Sequence, residues 1–576
     1  MGMEKNYGLN DEQWIAVTAK SPSICNASAG SGKTRCLIAK IQYLLDQGAT
    51  PESILAVTFT NKAANEMKER IKSFYPDLKE MQISTIHSMS VKIINKFVQH
   101  TPLRAPFSIY DDSNQLSIIK TLIKARNLTE DPYELLSSIS RVKSDGHQNN
   151  LKGDTASILK AYQEILIKNN ACDFDDLLIY AERCLQQPDC QQYYSKLWQH
   201  ILVDEFQDTS VIQYKIITHI YTQGISKTFF AAGDLNQSIY SWRSARPENM
   251  NDFIKKYNPS ICHLTYNYRS GSEIIDHANR FLQYGPPMVT KATSSGMVSF
   301  TQFQSQEEEA EKIAGAVLKM QNYEGTAILF RVNARTILFE KTFAQKKIPY
   351  KIVGTLPFYK RKIAKDLLCY CKAAINPDDI ESLARIVNVP KRGFGETKQE
   401  RLLLEGRSYL YKSVEEVPRI RAFIDLLEEI KNKSPLEAIR TVLHQTDYRS
   451  SLKTDDDQIM VDSFLDVVSG FDSIEELILA SNFIEKDSGH GVRLMSAHAS
   501  KGLEFDRVFV VGVEDELWPH KFSENIDEER RLFYVACTRA KIYLNVSYAK
   551  SRICRGKKID VIPSSLFIDS YKALKK

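Results

Sequence analysis

The chain has 576 residues, 43% of them hydrophobic and 26% charged, with a formal net charge of +5. That length exceeds one core and predicts about three to five domains, while the small charge permits a nucleic-acid partner without demanding one. Ten cysteines with no Cys-x-x-Cys pair argue against a zinc ribbon and read as reduced thiols, and no apolar run approaches the ~20 residues of a membrane span. The opening MGMEKN lacks a signal-peptide core and carries Asn6 where myristoylation wants Ser or Thr, so the expected location is cytoplasmic.

The first informative element is a short apolar strand at Ile24, a loop of small residues, and a helical pattern through Cys36, Leu37, Ile38, Ile41, Leu44 and Leu45. Residues 25–34 read CNASAGSGKT, which is strand, phosphate loop and helix in the order a nucleotide site requires. Gly30 and Gly32 let backbone N–H groups approach phosphates, Lys33 brings charge to the β and γ oxygens, and Thr34 offers a hydroxyl to Mg²⁺. Ala27 stands where the strict pattern has glycine, so the loop is a variant.

Ile201-Leu202-Val203 then deliver Asp204 and Glu205 to a strand's carboxyl end. Asp204 suits a Mg²⁺ shell and Glu205 suits orienting or deprotonating the attacking water. A second apolar run, residues 228–232, leads into GDLNQSIYSWR at 233–243. Asp234 and Gln237 have the chemistry to sense water, metal or phosphate. Tyr240, Trp242 and Arg243 offer two flat rings and a guanidinium for unpaired bases and a backbone phosphate. The other reading is a surface loop whose aromatics close a core edge. Arg269 and Arg539 sit in contexts that fit either charge on a γ-phosphate or a surface ion pair. The acidic run 307–311 reads as a solvated helix start. The basic runs 360–362 and 555–558 read as solvated faces, with phosphate contact as the alternative.

Taken together, these motifs resemble those of the UvrD/Rep/PcrA group of superfamily 1 helicases, in family order from Leu9 to about Tyr548. The matching stretches are LNDEQWIAV (9–17), AGSGKTR (29–35), VTFTNKAANEM (57–67), STIHSM (84–89), DFDDLL (173–178), LVDEFQDTS (202–210), GDLNQSIYSWRSA (233–245), LTYNYRS (264–270), LMSAHASKGLEFDRVFVVG (494–512) and EERRLFYVACTRAK (528–541). The resemblance implies ATP and Mg²⁺ as cofactors, with Thr34 and Asp204 on the metal. It implies Lys33, Glu205, Gln237, Arg269 and Arg539 as catalytic residues. Nucleotide contacts would come from Gln13, Ala29, Gly30, Ser31, Gly32, Lys33, Thr34, Arg35, Tyr268 and Glu504, the last on the ribose. Single-stranded DNA would meet Phe59, His87, Tyr240, Trp242, Arg243 and His498. The stretch RGFGETK (392–398) resembles a glycine motif that grips duplex backbone, so Gly393 and Gly395 would approach phosphates.

The fold implied is α/β, with two RecA-like parallel-sheet motor domains that hold ATP between them and each carry a mainly helical insertion. Expected bounds are 1–89 and 193–270 for the first motor, 90–192 for its insertion, 271–376 and 489–576 for the second motor, and 377–488 for a shortened accessory insertion. Turn signals at 376–379 and 487–489 bracket that last segment. The chain departs from the family at Ser496 and Ala499, where Thr and Ser are common, and it lacks an extended tail and a nuclease-like carboxylate cluster.

The function implied is 3′→5′ translocation on single-stranded DNA and unwinding at single-strand/duplex junctions in repair, replication or recombination. The alternatives are a translocase that displaces proteins with little unwinding, and a nucleotide-gated subunit of a repair or phage-defence complex.

Overall fold

The computed structural model describes residues 7–76, 81–145, 153–221, 225–354, 361–452, 455–469, 471–484, 490–521, 523, 525–554 and 557–572. The turn at 487–489, Asn6 and residues 360, 555 and 556 of the basic runs lie outside them. The chain divides into two compact units, Met1–Ser294 and Ser295–Lys576, later than the 270/271 boundary expected from sequence.

Six parallel strands organise the first unit: β1 (Ser23–Ala27), β2 (Ile54–Thr58), β3 (Gln82–Thr85), β4 (His200–Val203), β5 (Thr228–Gly233) and β6 (Ser260–Leu264), in the order β3-β2-β4-β5-β1-β6. The central strands are apolar on both faces because a parallel sheet is covered on both sides. Successive residues alternate between two cores: Leu55, Val57, Ile201, Val203 and Phe229 face one, and Ile54, Ala56, Leu202 and Phe230 the other. This period of two also carries the residues just past each strand to one edge of the sheet, where ligands of open parallel sheets gather.

Between β3 and β4 the chain is helical, apart from a short parallel pairing of Ser108–Ile109 with Ala171–Cys172. Helices Asp112–Ala125, Pro132–Asp145 and Gly153–Lys168 enclose a small core around Ile119, Ile139, Ile158 and Tyr162. Helix Phe174–Leu185 instead packs Leu177, Leu178 and Ala181 into the main sheet's core. Its N-cap, Asp173, and Asp176 share the buried ammonium of Lys143 at 2.6 and 2.9 Å.

The second unit repeats the plan with β7 (Met297–Phe303), β8 (Thr326–Phe330), β9 (Tyr350–Val353), β10 (Val492–Ser496), β11 (Phe505–Val510) and β12 (Ala540–Ala549). All six are parallel, ordered β7-β12-β11-β8-β10-β9. The two RecA-like sheets and the α/β class are thus as the sequence predicted. Helices between β9 and β10 have a core of their own, built on Leu367, Tyr370, Phe423, Ile439 and Phe464. Helix Lys362–Ile375 is part of it, so the helical portion starts before the Asn376 turn, because the apolar face of that helix finds its partners there.

One sequence expectation fails in this unit. The acidic run at 307–311 is not wholly solvated, since Glu309 is 1% exposed. It accepts from Ser547 Oγ at 2.7 Å and pairs with Arg552 at 2.8 Å, and Arg552 also pairs with Glu514. A helix turn places one residue in three or four inward, so a run of four acids within five residues starting a packed helix cannot all face water. A buried carboxylate needs a cation, and Arg552 supplies it.

Two buried histidines set an acid limit on the first unit. His200 opens β4 beside Thr228, His277 lies in helix Ser272–Asn279, and burial pushes each down to about 4, helped by Lys227 and Arg280 respectively. Below the ordinary histidine value of about 6.5 the unfolded chain takes a proton that the folded chain refuses until about pH 4. Stability therefore falls as pH drops through that window. His277→Phe should flatten the loss of Tm between pH 7 and 5 by the equivalent of about 2 kcal/mol at most; equal slopes for variant and wild type would show that His277 titrates normally.

Candidate functional site

The phosphate loop runs from Ser28 to Gly32, between β1 and helix Lys33–Asp46. Gly30 and Gly32 adopt left-handed φ values of +67° and +88°, which turns successive amides toward one concavity. Ser31 is buried, and its hydroxyl closes the loop onto Ser28 O at 2.7 Å. Gln13, in the capping box of helix Asp11–Thr18, donates its amide to Ser31 O at 2.9 Å. Arg35 is exposed and donates to Gly8 O.

Opposite the loop stand the acids at the ends of β4 and β5. Lys33 Nζ lies 3.0 Å from Glu205 Oε2. Burial works against its charge, yet Glu205, Asp204 and Asp234 outweigh that and push the ammonium above the ordinary lysine range. Asp204 is 9% exposed and accepts the Glu205 N–H at 3.0 Å. Glu205 itself holds φ +50°, an uncommon conformation for a side-chain-bearing residue and one that clusters at functional sites. Burial raises the Asp234 carboxyl above the usual carboxylate range, against the pull of Lys33 and the Gln237 amide. Gln237 is 5% exposed and donates to Asp234 Oδ2 at 2.7 Å.

The third wall follows β6. Tyr268 is 48% exposed, and its hydroxyl accepts from Asn10 at 2.5 Å. Arg269 is half-buried, with its N–H on Asn267 Oδ1 at 2.8 Å. Asn267 was not singled out from sequence. It is fully buried and donates to Ala29 O at 2.6 Å, while Tyr268 N–H donates to Gly30 O at 3.0 Å. The arginine segment and the phosphate loop are therefore one hydrogen-bonded piece.

The donor set fits a hard cation: Thr34 and Asp204 supply only oxygen, beside a loop whose amides suit phosphate. A Cβ at Gly32 would come within 2.7 Å of Gln13 Nε2, and one at Gly30 within 2.7 Å of Asn267, so the loop has no room for side chains.

The aromatic platform lies near the same sheet edge. Phe59, just past β2, stacks on Tyr240 with ring centroids 5.7 Å apart and planes 7° from parallel. Tyr240 meets Trp242 edge-on at 6.3 Å, and the Arg243 guanidinium sits 4.6 Å from the Trp242 ring. Trp242 is 63% exposed, so its ring does not close a core edge. His87 is half-buried, is held below its ordinary pKa by burial, and meets Phe174 edge-on at 6.3 Å.

The remaining expected residues belong to the second unit. His498 sits in a turn after β10, pushed down to about 4 by burial and by Arg331. Glu504 pairs with Lys541 at 2.7 Å. Arg539 is 1% exposed, and its guanidinium donates to Val535 O, Leu503 O and Thr538 Oγ1 at 2.8, 3.2 and 3.0 Å. Gly393 has φ +83°, and Gly395 is the N-cap of helix Glu396–Glu405. Arg392 braces that loop by donating to the carbonyls of Ile386, Val387 and Val389.

Comparison with known proteins meets this geometry. A family model described as the UvrD/REP helicase N-terminal domain matches residues 9–258, and one described as the UvrD-like helicase C-terminal domain matches 262–415 and 410–551. The ATP-dependent DNA helicase PcrA of Staphylococcus epidermidis strain RP62A is 33% identical over 625 residues, covering 96% of this chain and 85% of the relative. PcrA of Staphylococcus aureus strain Mu50 is 33% identical over 627 residues, with the same coverage. The chain belongs to the UvrD/Rep/PcrA-like helicases. ATP use follows from membership of this family. Among the described residues, no helix is long and apolar enough to cross a membrane.

Gly32→Ala adds about 1–3 kcal/mol of backbone strain and drives a Cβ into Gln13. ATP affinity should fall about 5- to 100-fold by equilibrium binding. Gly48→Ala, at φ +86° with nothing within 4 Å, should leave affinity near wild type; equal losses in both would refute the crowded-loop account.

Proposed function

We propose that this helicase is an ATP-driven motor that moves 3′→5′ along single-stranded DNA and separates duplex at single-strand/duplex junctions, serving repair, replication or recombination. One observation supports the reading most: Asp234 and Gln237, beside Lys33 and Glu205, belong to the same short segment as Tyr240, Trp242 and Arg243.

In the catalytic step, Lys33 leaves Glu205 for the β and γ phosphate oxygens, and the phosphate-loop amides hold the chain of charge. Thr34 and Asp204 would hold Mg²⁺, which would supply charge neutralisation to the triphosphate. Glu205, freed of its lysine, orients a water and takes its proton as the water oxygen bonds to the γ-phosphorus. The bond from that phosphorus to the β–γ bridging oxygen breaks, and ADP carries the electron pair away. Gln237, Arg269 and Arg539 complete the proposed catalytic set, the arginines as cations for the developing charge. Tyr268 would stack on the base, with Gln13 and Arg35 at its edge and Glu504 on the ribose.

Phe59, His87, Tyr240, Trp242, Arg243 and His498 are the proposed strand contacts, with Gly393 and Gly395 on duplex backbone. Stacking of about 1–3 kcal/mol per base holds a strand yet permits release each cycle. A base-pair step costs about 1.4 kcal/mol, so unwinding asks little beyond stepping. The domain reading rests on the same resemblance: motor 1–89 with 193–270 around an insertion at 90–192, and a second motor whose helical insertion, expected at 377–488, begins with helix Lys362–Ile375.

Unwinding of 3′-tailed but not 5′-tailed duplexes tests the polarity. Displacement of streptavidin without unwinding would point instead to a protein-stripping translocase. Lys33→Ala should lower ATP turnover by at least about 10²-fold while strand binding persists; retained turnover would remove the nucleotide assignment. Trp242→Ala should weaken binding of single-stranded DNA about 5- to 100-fold and depress DNA-stimulated more than basal turnover. Equal depression of the two rates would make the platform structural.

A further inference from the structure

Gln207 is fully buried in the tight turn Phe206–Asp208, two residues past the hydrolytic acid. Its amide nitrogen donates to Glu205 Oε2 at 2.5 Å, and its amide oxygen accepts the Asp234 N–H at 2.9 Å. The orientation is forced, because an ionised carboxylate only accepts and a backbone N–H only donates. Flipping the amide would set oxygen against oxygen at one end and N–H against N–H at the other.

Asp234 passes the constraint onward. Its carboxylate accepts the Asn236 N–H at 2.9 Å and the Gln237 amide at 2.7 Å. Tyr240 comes three residues after Gln237, and the exposed ring of Trp242 five after it. The far end of the segment is tied to the same acid-bearing loop. Arg246 N–H donates to Thr209 O at 3.0 Å, and Asn249 Nδ2 donates to Thr209 O and Ser210 O at 2.8 and 3.1 Å. The aromatic segment is thus mounted at both ends on residues 207–210.

From this geometry we infer that Gln207 is the positioning residue that couples the hydrolytic base to the strand-reading platform, an inference that rests on the helicase reading above. Glu205 meets both the Lys33 ammonium and the Gln207 amide. When Lys33 turns to phosphate, the amide becomes the partner that sets the carboxylate, and its other end is fixed to Asp234. A shift of Glu205 then moves Asp234 and the loop carrying Tyr240 and Trp242. Strand bound on the platform, by the same bond, steadies the base for catalysis.

Gln207→Met keeps length and bulk and removes the bonds to Glu205 and Asp234, together with a longer one of 3.4 Å to Asp208 Oδ2. Steady-state ATPase is measured with and without oligo-dT, alongside ATP and oligo-dT affinities and thermal melting. The ratio of DNA-stimulated to basal kcat should fall at least about tenfold, with KM for ATP and oligo-dT affinity near wild type. A wild-type ratio, or an equal loss of both rates, would overturn the inference. Should Gln207→Met fail to fold, Gly233→Ala decides: its Cβ would lie 2.6 Å from Gln207 Oε1 and push the amide off both partners. A lowered ratio there supports the coupling, and a wild-type ratio ends it. Turnover retained in Lys33→Ala would remove the nucleotide reading and this inference with it, whereas an inactive Lys33→Ala beside an unchanged Gln207→Met ratio removes only the coupling.

Discussion

A single ammonium, Lys33, faces three carboxylates at the carboxyl edge of the first sheet, and the arrangement of that unit follows from keeping it there. At 3.0 Å the gross attraction to Glu205 is about 5 kcal/mol for an effective dielectric near 20. Desolvation of each partner costs several kcal/mol, so little net stabilisation remains. The pair is a weak fastener and a good exchangeable contact. A triphosphate can take the lysine because the free state gains so little from holding it. Glu205, with Asp204 and Asp234 behind it, keeps the lysine charged, which is why its pKa rises despite burial.

The same constraint orders the surrounding loops. Strands β1, β4, β5 and β6 are adjacent and parallel, so the phosphate loop, the acid pair, the Asp234 segment and the Tyr268–Arg269 segment emerge at one edge. Hydrogen bonds then join the loops in pairs. Asn267 and Tyr268 clamp the phosphate loop, Gln13 braces it from the opposite side, and Gln207 joins the acid pair to Asp234. Each clamp is a buried amide or backbone group with both ends satisfied, and losing one partner leaves the other unpaired at about 1–3 kcal/mol.

What the sequence disclosed was chemistry that is local in the chain. The phosphate-loop motif is ten consecutive residues running from a strand through the loop into a helix, and the acid pair ends an apolar run, so both could be read from spacing. The α/β class followed from the resemblance that those motifs carry to the helicase family. Gln207 and Asn267 were quoted inside motifs but given no role, because their partners lie 27 and 238 residues away and only folding brings them together. Glu309 was misread for the same reason: its cation, Arg552, is 243 residues distant. The boundary of the second helical portion was hidden because helix Lys362–Ile375 has the same amphipathic pattern whether it covers a sheet or joins a bundle. Its partners, around Phe423 and Phe464, decide the matter.

The platform shows why a weak, exposed contact belongs beside so tightly bonded a site. Phe59 and Tyr240 stack directly past β2 and a short segment after β5, so their spacing is fixed by the sheet. Trp242, two residues further, is mostly exposed and is buttressed by Arg243. In the proposed reading, stacked rings near the strand ends and a more exposed ring beyond them would divide the work between holding a base and following the loop. A tightly packed Trp242 would gain burial energy and lose the freedom to move with Asp234. Exposure of that ring is therefore a cost the fold bears in stability, about 2 kcal/mol for a large apolar side chain. It is the expected cost if, as proposed, hydrogen bonds at Glu205 change the position of a ring that contacts nucleic acid.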